Sequence, residues 1–453
     1  MASLIPPVPP LPPELTELAR WLQILRQNEI GGGSSDLYIN VKDPAYGATG
    51  DGVTDDSAAI QAALTAGTTS GGTVFFPSGT YLVNTPLTVD TGTSWAHYGP
   101  RCSLKGAGSA NTRILCTAAS KLLLSIGGFG AQYYIEIDGI YFQGPGFEDR
   151  VGHPAVDLPG TGTALTTEAS SWASVQNCAF RGWGTAVHMT DCFSVFFANS
   201  YFQTCLQGIT LNNGIYASPN AISIVSCGIS DNKNYGILVQ YATTFSMQGG
   251  SIENNGVGGS GVFVGGAYVL ASGSGASPCS FTGTYFEGNV GTDLYLDHPT
   301  DGGASSVTGC TFNRINATNY STHNITVAAG SGVKARAIVL GCGFRGFNGY
   351  TPNAARTYIN SVATGADAIQ VSWSGCYFDS TTETPTIKNY LVGGTGVDNV
   401  ARIIFAGGVG AFTPALPLTT CPAPGPAQWV EFTSDAIVAA GYSGFWTLGV
   451  PQP

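Results

Sequence analysis

The sequence predicts an all-β solenoid, a fold in which short strands stack coil upon coil along one axis. Composition is the first indication, since glycine accounts for 63 of 453 residues, 11% of the residues are aromatic and only 10% are charged. An average soluble domain has about 25% charged residues and about 7% glycine. Glycine together with aromatic and β-branched residues favours strands joined by tight turns, and the aromatic content excludes a largely disordered chain.

A short strand motif that ends in an aromatic or aliphatic residue recurs about every 28 residues and is the second indication. Its copies span residues 178–180, 200–202, 227–229, 250–252, 284–286, 310–312, 342–344 and 376–378. One coil cannot bury its own apolar face, whereas about ten stacked coils bury a continuous column. The motif therefore predicts strands whose last residue stacks inside the solenoid.

The chain has 11 cysteines and no C-x-x-C pair, which argues against zinc and redox motifs. Five of the cysteines open a copy of the motif, namely Cys178, Cys227, Cys310, Cys342 and Cys376. We expect buried, reduced thiols there rather than disulfides, and we expect no bound metal and no cofactor.

The N-terminal part of the repeat contains YGATGDGVTDD at 46–56, AIQAAL at 59–64 and GGTVFFPSGTYL at 71–82. This series resembles the opening of the pectate-lyase-like superfamily. The resemblance implies that the solenoid is a right-handed parallel β-helix. We interpret Asp51, Asp55 and Asp56 as turn and cap residues rather than catalysts, with Thr54 or Asp55 capping a helix that follows.

Three parts are predicted along the chain. Residues 1–37 combine a proline-rich stretch with a helix over 14–28 that docks on a partner or packs on its own domain. Residues 38–390 form the parallel β-helix, with 38–120 as its N-terminal cap and first coils. Residues 391–453 form a small β-rich cap or trimerisation region.

The net charge is −11, and lysine and arginine are not clustered. Nucleic acid and anionic membranes are therefore poor partners. Prolines interrupt the N-terminal apolar residues, so we expect no signal peptide and synthesis in a cytoplasm. A polysaccharide fits the many asparagine, serine and threonine residues of the strands.

Candidate catalytic residues come from the position after each motif, which should point outward because side chains alternate along a strand. Glu253 and Glu287 would then stack on neighbouring coils about 5 Å apart. Two carboxyl groups at such a distance suit glycoside hydrolysis. Asp231 is the third candidate, and Asp191, Asp293 and Asp297 are further ones.

Two alternatives remain open for these positions. The acids could simply belong to polar turns at 231–232, 253–255 and 287–289, in which stacked asparagines satisfy backbone groups. A lyase would instead need a basic group to remove the proton beside a uronate carboxylate, for which Arg181 and Arg345 are isolated candidates.

Aromatic rings that cover the apolar faces of sugars are predicted in loops or near the motifs. The candidates for substrate binding are Trp183, Tyr216, Tyr235 and Tyr241, together with Arg181 for polar contacts. Trp172 and Trp373 are weaker candidates, and each ring could instead serve packing.

The whole layout most resembles bacteriophage tailspikes: a docking segment, the superfamily opening, about ten coils and a β-rich end. The resemblance implies a homotrimer on the virion tail that attaches to a phage tail or baseplate protein. It also implies binding and cleavage of a bacterial surface polysaccharide. The alternatives are a polysaccharide lyase, a non-catalytic receptor-binding spike and a secreted plant-cell-wall enzyme.

Overall fold

A computed structural model describes residues 38–90, 103–117, 123–127, 132–146, 163–168, 170–212, 219–259, 263–271, 279–298, 304–313, 321–329, 334–345, 357–363, 368–374, 376–379, 401–406 and 429–432. Its strands form three parallel sheets of 14, 12 and 10 strands, here named A, B and C. The predicted right-handed parallel β-helix is confirmed.

From β3 to β32 the coils contribute strands to the sheets in the order A, B, C. Sheet A contains β1 (Tyr38–Asn40), β3 (Thr73–Phe76), β6 (Ser103–Gly106), β9 (Gln132–Asp138), β12 (Ser170–Gln176), β15 (Phe196–Ala198), β18 (Ile222–Val225), β21 (Phe245–Gln248), β24 (Cys279–Thr282), β27 (Ala304–Thr308), β30 (Lys334–Leu340), β33 (Ala368–Ser374), β35 (Ala401–Ala406) and β36 (Trp429–Phe432). Sheet B contains β2 (Asp51–Asp55), β4 (Gly79–Leu82), β7 (Thr112–Leu115), β10 (Tyr141–Gln143), β13 (Ala179–Arg181), β16 (Tyr201–Gln203), β19 (Gly228–Ser230), β22 (Ser251–Glu253), β25 (Tyr285–Glu287), β28 (Thr311–Asn313), β31 (Gly343–Arg345) and β34 (Tyr377–Asp379). Sheet C contains β5 (Leu87–Asp90), β8 (Leu124–Gly127), β11 (Thr163–Glu168), β14 (Thr185–Thr190), β17 (Gln207–Asn212), β20 (Tyr235–Ala242), β23 (Gly265–Ala271), β26 (Gly291–His298), β29 (Ser321–Ala329) and β32 (Thr357–Ala363).

The core is a column of side chains stacked in register along the axis. The middle residue of each short sheet B strand points inward, and in several coils it is phenylalanine. Ring centroids lie 4.8 Å apart for Phe142 and Phe180 and 4.7 Å apart for Phe286 and Phe312. The prediction that Phe286 faces the interior is confirmed, since it has no exposed surface. The two residues that flank each middle residue must therefore face outward.

The cysteines of the motif lie inside this column, as predicted. All nine cysteines in the described ranges are buried, and none of them forms a disulfide. The Sγ of Cys178 lies 3.0 Å from the carbonyl oxygen of Gln176, and burial raises the pKa of this thiol to about 12. A thiol with such a pKa is a poor nucleophile, which fits a packing role.

The acids of the opening motif hold the N-terminal turn, as predicted. Asp56 accepts hydrogen bonds from the backbone N–H of Thr49 at 2.7 Å and of Gly50 at 3.0 Å. The helix α1 (Ser57–Ser70) follows, and its N-cap residue is Asp56 rather than the predicted Thr54 or Asp55. The side chain of Asp56 makes no capping hydrogen bond, and Asp55 accepts the backbone N–H of Ser57 at 3.0 Å. Helix α1 packs Ile60 and Leu64 against the first coils and so covers the open end of the solenoid.

The other predicted parts have different outcomes. Residues 1–37, with the predicted docking helix, lie outside the described residues. Beyond residue 390 the described strands β35 and β36 extend sheet A. In the ranges that the structure covers, no helix is long and apolar enough to cross a membrane.

Candidate active site

A row of polar side chains runs along the outer face of sheet B, formed by the last residue of each short strand. We call it the outer row; its members are Arg181, Gln203, Ser230, Glu253, Glu287, Asn313 and Arg345. Successive members are backbone partners, so their Cα atoms are about 4.8 Å apart. Glu253 pairs directly with Glu287, which brings together the two predicted catalytic glutamates.

Side-chain hydrogen bonds join three of the six neighbouring pairs in the outer row. The guanidinium of Arg181 donates from Nε to Oε1 of Gln203 at 3.0 Å. The Nε2 of Gln203 donates to Oγ of Ser230 at 2.7 Å. On the other side, Nδ2 of Asn313 donates to Oε2 of Glu287 at 2.8 Å. The chain of hydrogen bonds is interrupted at Glu253.

Glu287 is oriented by two donors that converge on one of its oxygens. The hydroxyl of Tyr285 donates to Oε2, and Nδ2 of Asn313 reaches both this oxygen and the Tyr285 oxygen, the latter at 2.9 Å. Burial, with a further contribution from Glu287 and a smaller one from Glu253, raises the pKa of Tyr285. Tyr285 therefore keeps its proton and remains a donor, while Oε1 of Glu287 is left for another partner.

Glu253 is half-buried, and its side chain makes no hydrogen bond to any described residue. A half-buried carboxylate without a partner gains little stability from its position, because its loss of solvation is not offset. This is the feature that a purely structural interpretation of the outer row leaves unexplained.

The turns after these strands are satisfied by buried asparagines, as one of the two alternatives predicted. Asn232 donates from Nδ2 to Oδ1 of Asn255 at 2.9 Å, and Asn255 donates in the same way to Asn289 at 3.0 Å. Each also donates to a backbone carbonyl of the preceding coil. Within the described residues, the side chains of Glu253 and Glu287 make no hydrogen bond to these asparagines.

Asp231 lies in the turn after β19, one coil before Glu253. It is exposed and has a positive φ of 57°. Its backbone N–H donates to the carbonyl oxygen of Glu253 at 3.0 Å. The third candidate carboxyl group is thus adjacent to the pair but on the rim of the sheet.

None of the aromatic residues predicted to bind sugar is found on the outer face of sheet B within the described residues. Trp183 has no exposed surface and donates from Nε1 to the carbonyl oxygen of Phe142 at 3.1 Å, so its assignment to substrate binding is wrong. Tyr235 is only 6% exposed and its hydroxyl pairs with Thr210, so it too is a packing residue. Tyr241 is 45% exposed but lies on sheet C, and Tyr216 lies outside the described residues.

The further aspartates serve other purposes. Asp293 is 1% exposed and accepts hydrogen bonds from Asn289 at 2.9 Å and from Asn324 at 2.7 Å. Asp191 is 5% exposed. On sheet C, Asp297 accepts the hydroxyl of Tyr268 at 2.6 Å, and burial raises the pKa of this carboxyl group.

Sequence reasoning missed two tyrosines on the outer face of sheet B, Tyr201 and Tyr285. Both open a short strand, two residues before a member of the outer row, and alternation along the strand could have identified them. In the part of the chain that the structure covers, no group of three or more histidine, cysteine, aspartate or glutamate side chains is arranged to hold a metal ion.

Comparison with known proteins supports the fold. Residues 38–260 match the family described as rhamnogalacturonase A/epimerase, pectate lyase-like. A probable glucan endo-1,3-beta-glucosidase of Arthroderma benhamiae is 38% identical over 15% of this chain and 9% of its own length. This chain therefore spans about a tenth of that relative.

Solved structures extend the comparison along the chain. The catalytic unit of a GH87 alpha-1,3-glucanase from Streptomyces thermodiastaticus is 12% identical with a TM-score of 0.51, covering 93% of this chain and 72% of that one. ORF18 of Geobacillus virus E2 is 17% identical with a TM-score of 0.49, covering 86% of this chain and 64% of that one. The likeness to the glucanase is one of fold.

Proposed function

Starting from a chain that is a pectate-lyase-like parallel β-helix, we propose that it binds a bacterial surface polysaccharide and hydrolyses its glycosidic bonds with Glu253 and Glu287. One observation carries the proposal. Two glutamates are backbone partners on the outer face of sheet B, one oriented by two donors and the other without a partner.

The two environments suggest different roles. Glu253 donates a proton to the glycosidic oxygen, and that oxygen leaves as a hydroxyl group of the departing chain. Oε1 of Glu287, held in place through Oε2, attacks the anomeric carbon and forms a glycosyl ester. Glu253 then removes a proton from water, and the hydroxide displaces Glu287. One glycosidic bond is broken, one water is consumed, and both residues return to their starting states.

Within the proposal, the pair acts with retention of anomeric configuration, because the two glutamates lie on adjacent strands whose Cα atoms are about 4.8 Å apart. Retaining glycosidases place their two carboxyl groups about 5–5.5 Å apart, whereas inverting enzymes need about 6.5–9.5 Å to admit a water between acid and base. We therefore expect newly formed reducing ends with the configuration of the bond that was cut.

The remaining predicted contacts belong to the rim of this site. Arg181 lies three coils from Glu253 in the outer row and offers donors to sugar hydroxyls or to a uronate. The exposed Asp231 adds a second acid beside Glu253.

The proposal includes assembly as a homotrimer on a phage tail, attached through the N-terminal segment. The layout of the sequence is its main support. Ile338 and Leu340 on β30 are 50% and 43% exposed, an apolar strip on the outer face of sheet A that a neighbouring subunit would cover. Sedimentation velocity would show a mass three times that of the chain, and a monomer would refute the trimer.

Chain shortening tests the function directly. We would incubate the protein with purified capsular and O-antigen polysaccharides, and with α-1,3- and β-1,3-glucans because of the glucanases named above. Size-exclusion chromatography with light scattering then follows polymer mass. A fall in mass for at least one polymer supports the proposal. Binding without shortening would favour a non-catalytic spike, and unsaturated uronate ends would favour a lyase.

A further inference from the structure

We propose that Tyr201 is the platform of a sugar-binding subsite next to Glu253, on the same outer face of sheet B. The inference rests on the proposed function for its ligand class, a pyranose ring of a polysaccharide. It concerns recognition rather than bond cleavage, so the two can fail separately.

Tyr201 is one of a few large apolar side chains in the described residues that are mostly exposed, with 56% of its surface accessible. It is the first residue of β16, and its side chain points away from the core because the next residue, Phe202, is fully buried. Its hydroxyl makes no hydrogen bond within the described residues. The ring is therefore free to contact a ligand.

The ring leans along the helix axis over the next coil instead of standing upright. Its register partner there is Gly228. A Cβ placed on Gly228 would lie 2.8 Å from Cδ1 of Tyr201, closer than real Cβ contacts, and 3.0 Å from Cε1, so the ring would have to shift. The ring thus occupies the space that a side chain at position 228 would take, and only glycine permits this arrangement.

This placement brings the ring close to the carboxylate pair. Tyr201 lies over β19, and the next strand, β22, carries Glu253. Adjacent strands are about 4.8 Å apart and alternate outward residues about 6.6 Å apart along a strand. A sugar resting on Tyr201 would therefore adjoin the sugar between Glu253 and Glu287. Ser251, the partner of Gly228 on β22, is small and leaves the path open.

A structural role alone accounts poorly for this residue. An aromatic ring stabilises a fold mainly by the apolar area that it removes from water, and more than half of the Tyr201 side chain is exposed. An exposed ring beside polar side chains is the arrangement that amphipathic ligands use, since aromatic side chains combine a large apolar surface with a fixed shape.

Four variants test the subsite, and Gly343 supplies a matched control. Tyr201→Ala removes the ring, and Tyr201→Phe keeps it. Gly228→Ala displaces the ring without changing Tyr201. Gly343→Ala changes the equivalent residue of β31, where an added Cβ meets only Oγ1 of Thr311 at 3.9 Å. Thermal unfolding of each variant checks that the β-helix is intact.

The probe is an array of purified capsular and O-antigen polysaccharides with α-1,3- and β-1,3-glucans. We expect Tyr201→Ala and Gly228→Ala to bind the recognised polymer at least about tenfold more weakly, the order of one aromatic contact. Tyr201→Phe and Gly343→Ala should bind as the wild type does. Wild-type affinity in both Tyr201→Ala and folded Gly228→Ala would overturn the subsite, as would failure of the wild type to bind any polymer.

A second readout separates the subsite from the hydrolysis. Glu253→Gln should keep its dependence on Tyr201 for binding while it loses cleavage. If binding depends on Tyr201 but the wild type shortens no polymer, the subsite stands and the hydrolysis is refuted. If the wild type cleaves and Tyr201→Ala binds and cleaves equally well, the hydrolysis stands and the subsite is refuted.

Discussion

The outer faces of sheets B and C both place acids beside tyrosines, but they satisfy those acids differently. On sheet C, Tyr268 and Tyr295 stack with centroids 4.9 Å apart, and Asp297 accepts the Tyr268 hydroxyl at 2.6 Å. On sheet B, Tyr285 and Asn313 hold one oxygen of Glu287, while Glu253 has no partner in the described residues. A carboxyl group that has hydrogen-bond partners within the protein contributes to the fold, whereas one that lacks such partners is available to a substrate.

Neutralising either glutamate of the sheet B pair, Glu253 or Glu287, should have the largest effect. Glu253→Gln or Glu287→Gln should each lower cleavage at least about 100-fold, because either change removes an acid/base or nucleophilic group. Glu136→Gln is the matched control, since Glu136 is an exposed glutamate on the outer face of sheet A. Initial rates of reducing-end formation measure the effect. Full activity in both sheet B variants would eliminate the pair.

Removing one hydroxyl on sheet B should have an intermediate effect. Tyr285→Phe deletes a donor to Glu287 but leaves the ring and the carboxylate in place. We expect kcat to fall about tenfold, the order of one hydrogen bond to a charged group, with KM nearly unchanged. Steady-state kinetics on the cleaved polymer provide the measurement. A change confined to KM would instead assign Tyr285 to substrate binding.

The equivalent change on sheet C should act on stability instead. Tyr268→Phe removes the donor to Asp297 and should lower the free energy of unfolding by roughly 1–2 kcal/mol. Cleavage at a temperature where both proteins are folded should match the wild type. Denaturant unfolding measures the loss of stability, and the same kinetic assay measures whether cleavage is unchanged. Loss of activity in a stable variant would move the active site towards sheet C.

The smallest effect is a pH dependence that comes from Asp297. Burial raises the pKa of this carboxyl group above its usual value of 3.8, although the Tyr268 hydrogen bond opposes the rise. The folded protein therefore keeps this proton to a higher pH than the unfolded chain does. The resulting stability is present in acid and is lost as the pH rises from 3.8 through the raised pKa.

Asp297→Asn isolates this contribution. The Tm of the wild type minus that of the variant should be largest near pH 3 and should decrease towards pH 7. Comparing the two proteins at each pH cancels other titrating groups, including the buried His298, whose pKa burial lowers to about 4. A difference that grows with pH would mean that Asp297 is stabilised in its ionised form.

Much of the fold could be predicted because the repeat determines the register. Residues at the same motif position stack on each other, so the position after each motif was sufficient to pair Glu253 with Glu287 and to place Phe286 inside. The asparagines at 255 and 289 followed from the same alignment. In a solenoid, residues that are one repeat apart in the sequence lie on adjacent coils and are therefore close in space.

Side-chain direction outside the short strands could not be predicted in this way. Trp183 lies in a turn after β13, where period-two alternation does not apply, and its ring faces the core. The contact of Tyr201 with Gly228 and that of Asn313 with Glu287 join different coils. Such contacts depend on which rotamers the neighbouring coil leaves open, which the repeat does not specify.

The most direct test of the central claim is digestion of the recognised polymer in water enriched in ¹⁸O, followed by mass spectrometry of the products. The wild type should yield oligosaccharides that each carry one ¹⁸O at the new reducing end, and the Glu253→Gln/Glu287→Gln double variant should yield none. Products with unsaturated ends and no ¹⁸O, or equal labelling by the double variant, would contradict hydrolysis by this pair.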